Sequence, residues 1–268
     1  MAVYTTPGVR APSRVGTQGE ERESAVERVS IVVPAYNEQE RIRGSLTDLV
    51  DWIGPGRDVE VIVVDDGSTD KTAPIARERL AALPSATVVE EPHRGKGAAV
   101  RRGVAAASRD NVLFMDADLA TELDAIPVAV DLLEHHHVVV GSRRLQPEWV
   151  HGMTVPRRFM NAAFHSMVRG VTGVDVTDSQ CGFKAFRTDV ARYLFPQVET
   201  EGFAFDVEVL ALASDLGYAI GEQPVRWSAK TGGTVRPVRD AITMTADLLR
   251  IGRRIRERRA RRGLEMDP

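Results

Sequence analysis

Val59-Glu60-Val61-Ile62-Val63-Val64-Asp65-Asp66-Gly67-Ser68 joins an apolar, β-branched run to an abrupt acidic turn. Val and Ile favour extended backbone because their branched side chains pack well on a pleated surface, so the run predicts a buried strand that stops at Asp65. Upstream, Val29-Ser30-Ile31-Val32-Val33 has the same character and is stopped by Pro34. Between the two, Ile42, Leu46, Leu49 and Val50 recur at helical spacing within residues 38–52, which predicts a βαβ opening.

The alternation continues downstream. Thr69 or Asp70 can cap a helix over 71–82, and Thr87-Val88-Val89 reads as a short strand. Gly95-Lys96-Gly97 leads into an Ala-rich helix over 98–107, and Asn111 to Met115 is a further strand ending in Asp116-Ala117-Asp118. A helix over 124–133 and a strand Val138-Val139-Val140 follow. Short apolar strands separated by helices describe an α/β protein with a mostly parallel sheet, whose binding loops gather at the strand C-termini. The second half is less regular: helices are expected over 157–168, 207–216 and from about 236 to 259, with a strand near 224–227. Residues 178–184 are too polar to read as plain core.

At 268 residues one substantial core is expected, framed by a leader over 1–27, a catalytic domain over 28–250 and an Arg-rich end over 251–268. With 35 basic against 38 acidic residues, nucleic acid has no general electrostatic claim on the chain. No run of about 20 apolar residues is present, so a cytoplasmic protein is expected. Cys181 is the sole cysteine, which excludes an intrachain disulfide and a cysteine-based metal cluster. It reads as a small buried side chain, and His135-His136-His137 are consecutive and cannot converge on one ion.

Asp116 and Asp118 end a strand in a turn, where both carboxylates can approach a divalent ion that also touches phosphate. Asp66, beside Gly67 and Ser68, can accept hydrogen bonds from a base or ribose, and Tyr36 offers an aromatic face with Glu38 two residues on. Lys96, with the amides at the start of its helix, can favour phosphate. For each, an ordinary capped or solvated turn is the competing reading. Asp206 sits among apolar residues at a helix start and can face an acceptor, while Asp178, Gln180 and Lys184 can wall the donor from it. The eight arginines between Arg250 and Arg262 can lie against anionic lipid or form a solvated helix.

Residues 31–38, 61–72, 94–103, 115–119, 141–143, 178–186 and 201–208 together resemble family 2 glycosyltransferases, nearest the dolichyl-phosphate or polyprenyl-phosphate glucosyltransferases and beside the dolichyl-phosphate mannose synthases. The resemblance implies a GT-A fold, a Rossmann-like α/β sheet flanked by helices. It implies a nucleoside site at Pro34, Ala35, Tyr36, Glu38 and Asp66, donor contacts at Lys96, Asp116 and Ala117, and Mg²⁺ or Mn²⁺ on Asp118 with Asp116. Gln180 and Asp206 take catalytic roles beside Asp118, and Arg143, Gln180, Lys184, Arg226, Lys230 and Arg236 face the acceptor. The implied reaction inverts the anomeric carbon, moving a hexose from UDP-glucose, or alternatively GDP-mannose, to a polyprenyl phosphate. A soluble glycan or alcohol acceptor, with Asp206 as base, and a nucleotide-sugar-binding protein without turnover are the other readings. Peripheral contact with the inner face of the cell membrane through the arginines, and a homodimer, are further expectations.

Overall fold

The computed structural model describes residues 28–55, 57–230 and 237–265. Strands β1 (Val29–Ala35), β2 (Val59–Asp66), β3 (Ala86–Glu91), β4 (Asn111–Met115), β5 (Val138–Ser142), β7 (Phe183–Arg187) and β8 (Ile220–Pro224) form one sheet in the order β3-β2-β1-β4-β7-β5-β8. All neighbours are parallel except β7, which runs antiparallel to both β4 and β5. Two short strands, β6 (Val150–His151) and β9 (Trp227–Ser228), pair separately, and β9 ties down the turn after β4 through a Ser228 N–H bond to the Ala120 carbonyl.

Side-chain alternation explains how the sheet is sandwiched. Val29, Ile31, Val33, Val61, Val63, Leu113 and Val139 point to one face, where α1 (Ile42–Ile53), α2 (Thr72–Leu80) and α4 (Ala125–Leu132) cover them. Val32, Ile62, Val64, Phe114, Val138 and Phe186 point to the other. There they meet α3 (Lys96–Ala106), α5 (Val155–Thr172), α6 (Thr188–Leu194), α7 (Phe205–Asp215) and α8 (Pro237–Glu265).

The βαβ opening and the strand set expected from the first half are present. Strand β7 and helix α6 were not anticipated. Because β7 runs against its neighbours, its N-terminal end lies beside the C-terminal end of β4, with Met115 opposite Phe183. The loop that precedes it, 178–182, is thereby delivered to the same sheet edge as the acidic turns. Helix α8 runs unbroken across 250, as the helix expected to about 259 does, and Leu248, Ile251 and Ile255 bury it in the core. The expected leader lies outside the described residues. No described helix is long and apolar enough to cross a membrane.

Candidate active site

The C-terminal ends of β1 and β2 build one wall. Asn37 adopts a left-handed φ of 52°, which turns the chain so that its Oδ1 accepts from the Thr69 N–H at 2.9 Å and its own N–H donates to Ser68 Oγ at 2.9 Å. Asn tolerates that conformation because its short amide bonds locally. Tyr36 stacks on His93 with ring centroids 4.0 Å apart. Asp66 is more committed than expected: Oδ1 accepts from Arg94 N–H, and Oδ2 from Gly95 N–H while lying 2.8 Å from His93 Nδ1. It fastens the 93–95 loop, so it shapes this wall instead of offering a free carboxylate. Pro34 and Ala35 are buried in the β1 ladder and Ala117 is 5% exposed, so their side chains offer no surface to a donor.

The charged centre lies one strand over. Lys96 Nζ sits 2.5 Å from Asp116 Oδ1, and Asp118 accepts from Ala120 N–H at 3.1 Å and from Arg41 Nη1 at 3.3 Å. Burial opposes the charge on Lys96, but Asp116, Asp206 and Asp118 outweigh it and hold its pKa above the usual lysine value. Burial, then the neighbouring Asp116 charge, pushes Asp118 above the ordinary aspartate value. Burial likewise raises Glu38, which Arg41 offsets only in part.

Three carboxylates thus face two cations, and the surplus negative charge suits a divalent ion. Gly182 leaves room for Asp116: a methyl on it would lie 2.7 Å from Asp116 Oδ1 and nearer still to Cγ and Oδ2. No three His, Cys, Asp or Glu side chains converge on one point among the described residues, the His135–137 run included. An ion on Asp116 and Asp118 would therefore complete its oxygen shell from diphosphate and water, in keeping with the few protein ligands that Mg²⁺ usually takes.

Several expectations change at α3 and α7. The amides at the start of α3 are already satisfied: Gly97 and Ala98 N–H both donate to the Glu201 carbonyl, at 2.7 and 3.2 Å. Gly97 packs against the 200–205 segment, where an added Cβ would come 2.6 Å from both Phe205 Cβ and Thr200 O. These two amides are therefore not free for an anion. Lys184 is wholly buried, donating to the Cys181 carbonyl at 2.6 Å and lying 2.9 Å from Asp206 Oδ1, so it does not face an acceptor. Asp206 is 3% exposed, and burial raises its pKa against the pull of Lys184 and Lys96. A carboxylate so placed cannot reach an incoming hydroxyl. Cys181 is buried as expected, which pushes its thiol up to about 11.

Beyond Gln180 opens a cavity of about 260 Å³, lined by Arg143, Arg144, Arg158, Asn161, His165 and Gln180 among others. Arg143 is held bidentate by Asp178, Nε to Oδ2 at 2.7 Å and Nη2 to Oδ1 at 2.9 Å, so it lines the cavity with its charge already matched. His165 Nδ1 is buried without a protein partner, and burial followed by the Arg144 charge lowers the pKa of the ring. Sequence reasoning missed Arg158, Asn161 and His165, since a helix that begins Val-Pro-Arg-Arg carries no motif, and it missed Arg144 beside the Arg143 it named after β5. Arg226 lies over Trp149 and 3.9 Å from Glu122, Lys230 is exposed, and Arg236 lies outside the described residues.

The Arg-rich helix also has an internal use. Arg254 donates to Thr200 Oγ1 and to the buried Glu208, Arg258 to the Gln197 carbonyl, and Arg259 to Asp215. These arginines dock α8, which weakens the expectation that the run as a whole serves lipid.

A mixed sheet with a buried antiparallel strand, acidic turns along one edge and an Asp-x-Asp pair facing a lysine define a protein of the GT-A fold. The chain belongs to glycosyl transferase family 2, whose model matches residues 30–195. It is 34% identical over 239 residues to the dolichyl-phosphate beta-glucosyltransferase of Dictyostelium discoideum, covering 83% of this chain and 73% of that protein. The enzyme of the same name from Drosophila melanogaster is 35% identical over 240 residues, covering 83% and 74%. Among solved structures, glucosyl-3-phosphoglycerate synthase from Mycobacterium tuberculosis with Mn²⁺, uridine diphosphate and glucosyl-3-phosphoglycerate superposes with a TM-score of 0.59 at 25% identity, over 90% of this chain and 86% of that one. Its complex with phosphoglyceric acid gives 0.64 at 24%, over 89% and 85%.

Proposed function

We propose that the chain transfers glucose from UDP-glucose to a phosphorylated acceptor, a polyprenyl phosphate, with inversion at the anomeric carbon. The observation that carries this reading is the pairing of a cation-lined cavity with the burial of Asp206. An alcohol acceptor needs a base within reach of its hydroxyl. A phosphate monoester already carries an anionic oxygen, so alignment suffices, and Arg144, Arg158 and Asn161 suit its remaining oxygens. The relatives named for dolichyl-phosphate glucosylation and the neighbour holding uridine diphosphate support the donor and the acceptor class.

In this reading the acceptor oxygen attacks the anomeric carbon from the side of Gln180 as the bond to the diphosphate breaks. Asp116 and Asp118 would hold Mg²⁺ or Mn²⁺, which when bound would supply Lewis-acid stabilisation to a departing diphosphate. Lys96 adds a positive charge on the same side, and Tyr36 with the loop held by Asp66 encloses the nucleoside. The phosphate keeps no proton to lose, so no protein group has to accept one.

A soluble phosphorylated acceptor is the second reading, favoured by the neighbour bound to glucosyl-3-phosphoglycerate. The test is a matrix of UDP-glucose and GDP-mannose against a short-chain polyprenyl phosphate, 3-phosphoglycerate and simple alcohols, with Mg²⁺ or Mn²⁺ and with Asp118→Asn as control. Glucosylated polyprenyl phosphate from UDP-glucose alone is expected. Transfer confined to alcohols would refute the acceptor assignment.

A further inference from the structure

The three carboxylates and two cations at the strand ends are paired unequally. Arg41 turns one edge of its guanidinium to Glu38, with Nε to Oε2 at 2.7 Å and Nη2 to Oε1 at 2.5 Å. That geometry directs the remaining nitrogen, Nη1, to Asp118 Oδ2 at 3.3 Å. The Glu38 contacts are those of a strong charge-assisted fork, whereas 3.3 Å is longer than such bonds usually run. The Arg41, Glu38 and Asp118 side chains are only 16%, 11% and 21% exposed, so the contacts are not ordinary surface pairs screened by water.

We propose that Arg41 is a positioning residue that competes with the divalent cation for Asp118, so that metal binds weakly until the nucleotide diphosphate binds with it. This inference rests on the metal-dependent reading above. A divalent ion arriving alone must displace Nη1 from Asp118 and accept a site where Lys96 already neutralises Asp116. It exchanges one cation for another and gains little. A diphosphate changes both terms, since its oxygens add ligands to the ion and give Lys96 a second anionic partner. Glu38 keeps Arg41 fixed by its two short bonds when Asp118 changes partner, so the exchange breaks one long contact and leaves the fork intact. Metal and nucleotide then strengthen each other's binding, and by linkage they do so by the same factor.

Mn²⁺ binding, followed by the loss of the free-ion EPR signal with and without UDP, tests this on the full chain without any turnover. Arg41→Gln is expected to bind Mn²⁺ without nucleotide about tenfold more tightly than the parent, with the gain from UDP reduced to match, a factor in the usual range of site-to-site coupling. Arg41→Lys, which keeps the charge, is expected to stay near the parent. Arg41→Met gives the same reading should the Gln variant melt early. Unchanged or weaker nucleotide-free Mn²⁺ binding in a folded neutral variant would overturn the proposal. If the parent with saturating UDP shows no Mn²⁺ binding that Asp118→Asn removes, the metal-dependent reading itself fails, and this inference falls with it.

Discussion

Replacing Gly182 by alanine should separate activity from stability. The new methyl would lie 2.7 Å from Asp116 Oδ1 and closer to its Cγ and Oδ2, where carbon–oxygen contacts need about 3.3 Å. The obstacle is the far end of a side chain, so the fold can survive by letting the Asp116 carboxylate swing aside by on the order of 1 Å. That movement breaks the 2.5 Å pair with Lys96 and displaces one of the two aspartates proposed to hold the ion. A misplacement of this size costs about 10²-fold in rate when the group aligns or stabilises a reacting centre. Steady-state release of UDP from UDP-glucose, with the melting temperature measured alongside, is the assay. The expected result is a loss of about two orders of magnitude in kcat/KM with a melting temperature close to the parent's. Activity within threefold of the parent would refute the placement of Asp116 in the donor site.

Three further outcomes follow from the same geometry. Lys184→Met strands Asp206 as a buried unpaired carboxylate and should cost about 3–5 kcal/mol in urea unfolding, whereas Lys184→Met with Asp206→Leu should recover most of it; a stable single variant with weakened acceptor binding would instead restore Lys184 to the acceptor site. Arg254→Met removes the guanidinium that pairs with Glu208 at 2.9 Å and holds the segment capping α3, so thermal melting should fall by the equivalent of about 3 kcal/mol and KM for UDP-glucose should rise; an unchanged melt would deny α8 a part in supporting Lys96. Burial opposes ionisation of Asp178, but Arg143 outweighs it and holds the carboxyl below its ordinary 3.8. Its stabilisation is therefore fully present above that value and lost as pH falls through the lower, folded-state value, so Asp178→Asn should flatten the acid limb of the stability curve, and an unaltered limb would contradict the pairing.

The parts legible in the sequence were those fixed by local pattern. Val29 to Val33, Val59 to Val64 and Asn111 to Met115 declare themselves through unbroken apolar runs, and the rule that loops at strand C-termini meet in space brings Tyr36, Asp66, Lys96 and Asp116 to one edge. Strand β7 escaped because Lys184 interrupts Phe183-Lys184-Ala185-Phe186. A buried lysine is tolerable only with its partner in hand, and that partner, Asp206, lies 22 residues on in the chain, beyond any periodicity. Distance in sequence hid the other pairings in the same way. Nothing local says that Arg254 reaches Glu208 or that the Glu201 carbonyl occupies the amides of Gly97 and Ala98. Charge alone made the arginines of α8 look available to lipid, and Lys96 at a helix start made the amides there look open to phosphate. The Arg41 contact with Asp118 was equally invisible, since the guanidinium reaches it only because β1 and β4 are neighbours in the sheet.

The central claim is that an acceptor phosphate oxygen takes glucose from UDP-glucose beside the Asp116–Asp118 pair. Phosphorus NMR of one reaction containing the protein, UDP-glucose, Mg²⁺ and a short-chain polyprenyl phosphate tests it directly. The account predicts that the acceptor's phosphomonoester resonance converts to a phosphodiester in step with the appearance of UDP, and that neither change occurs with Asp118→Asn. UDP appearing while the phosphomonoester persists, or a phosphodiester formed equally well by the Asp118 variant, would contradict it.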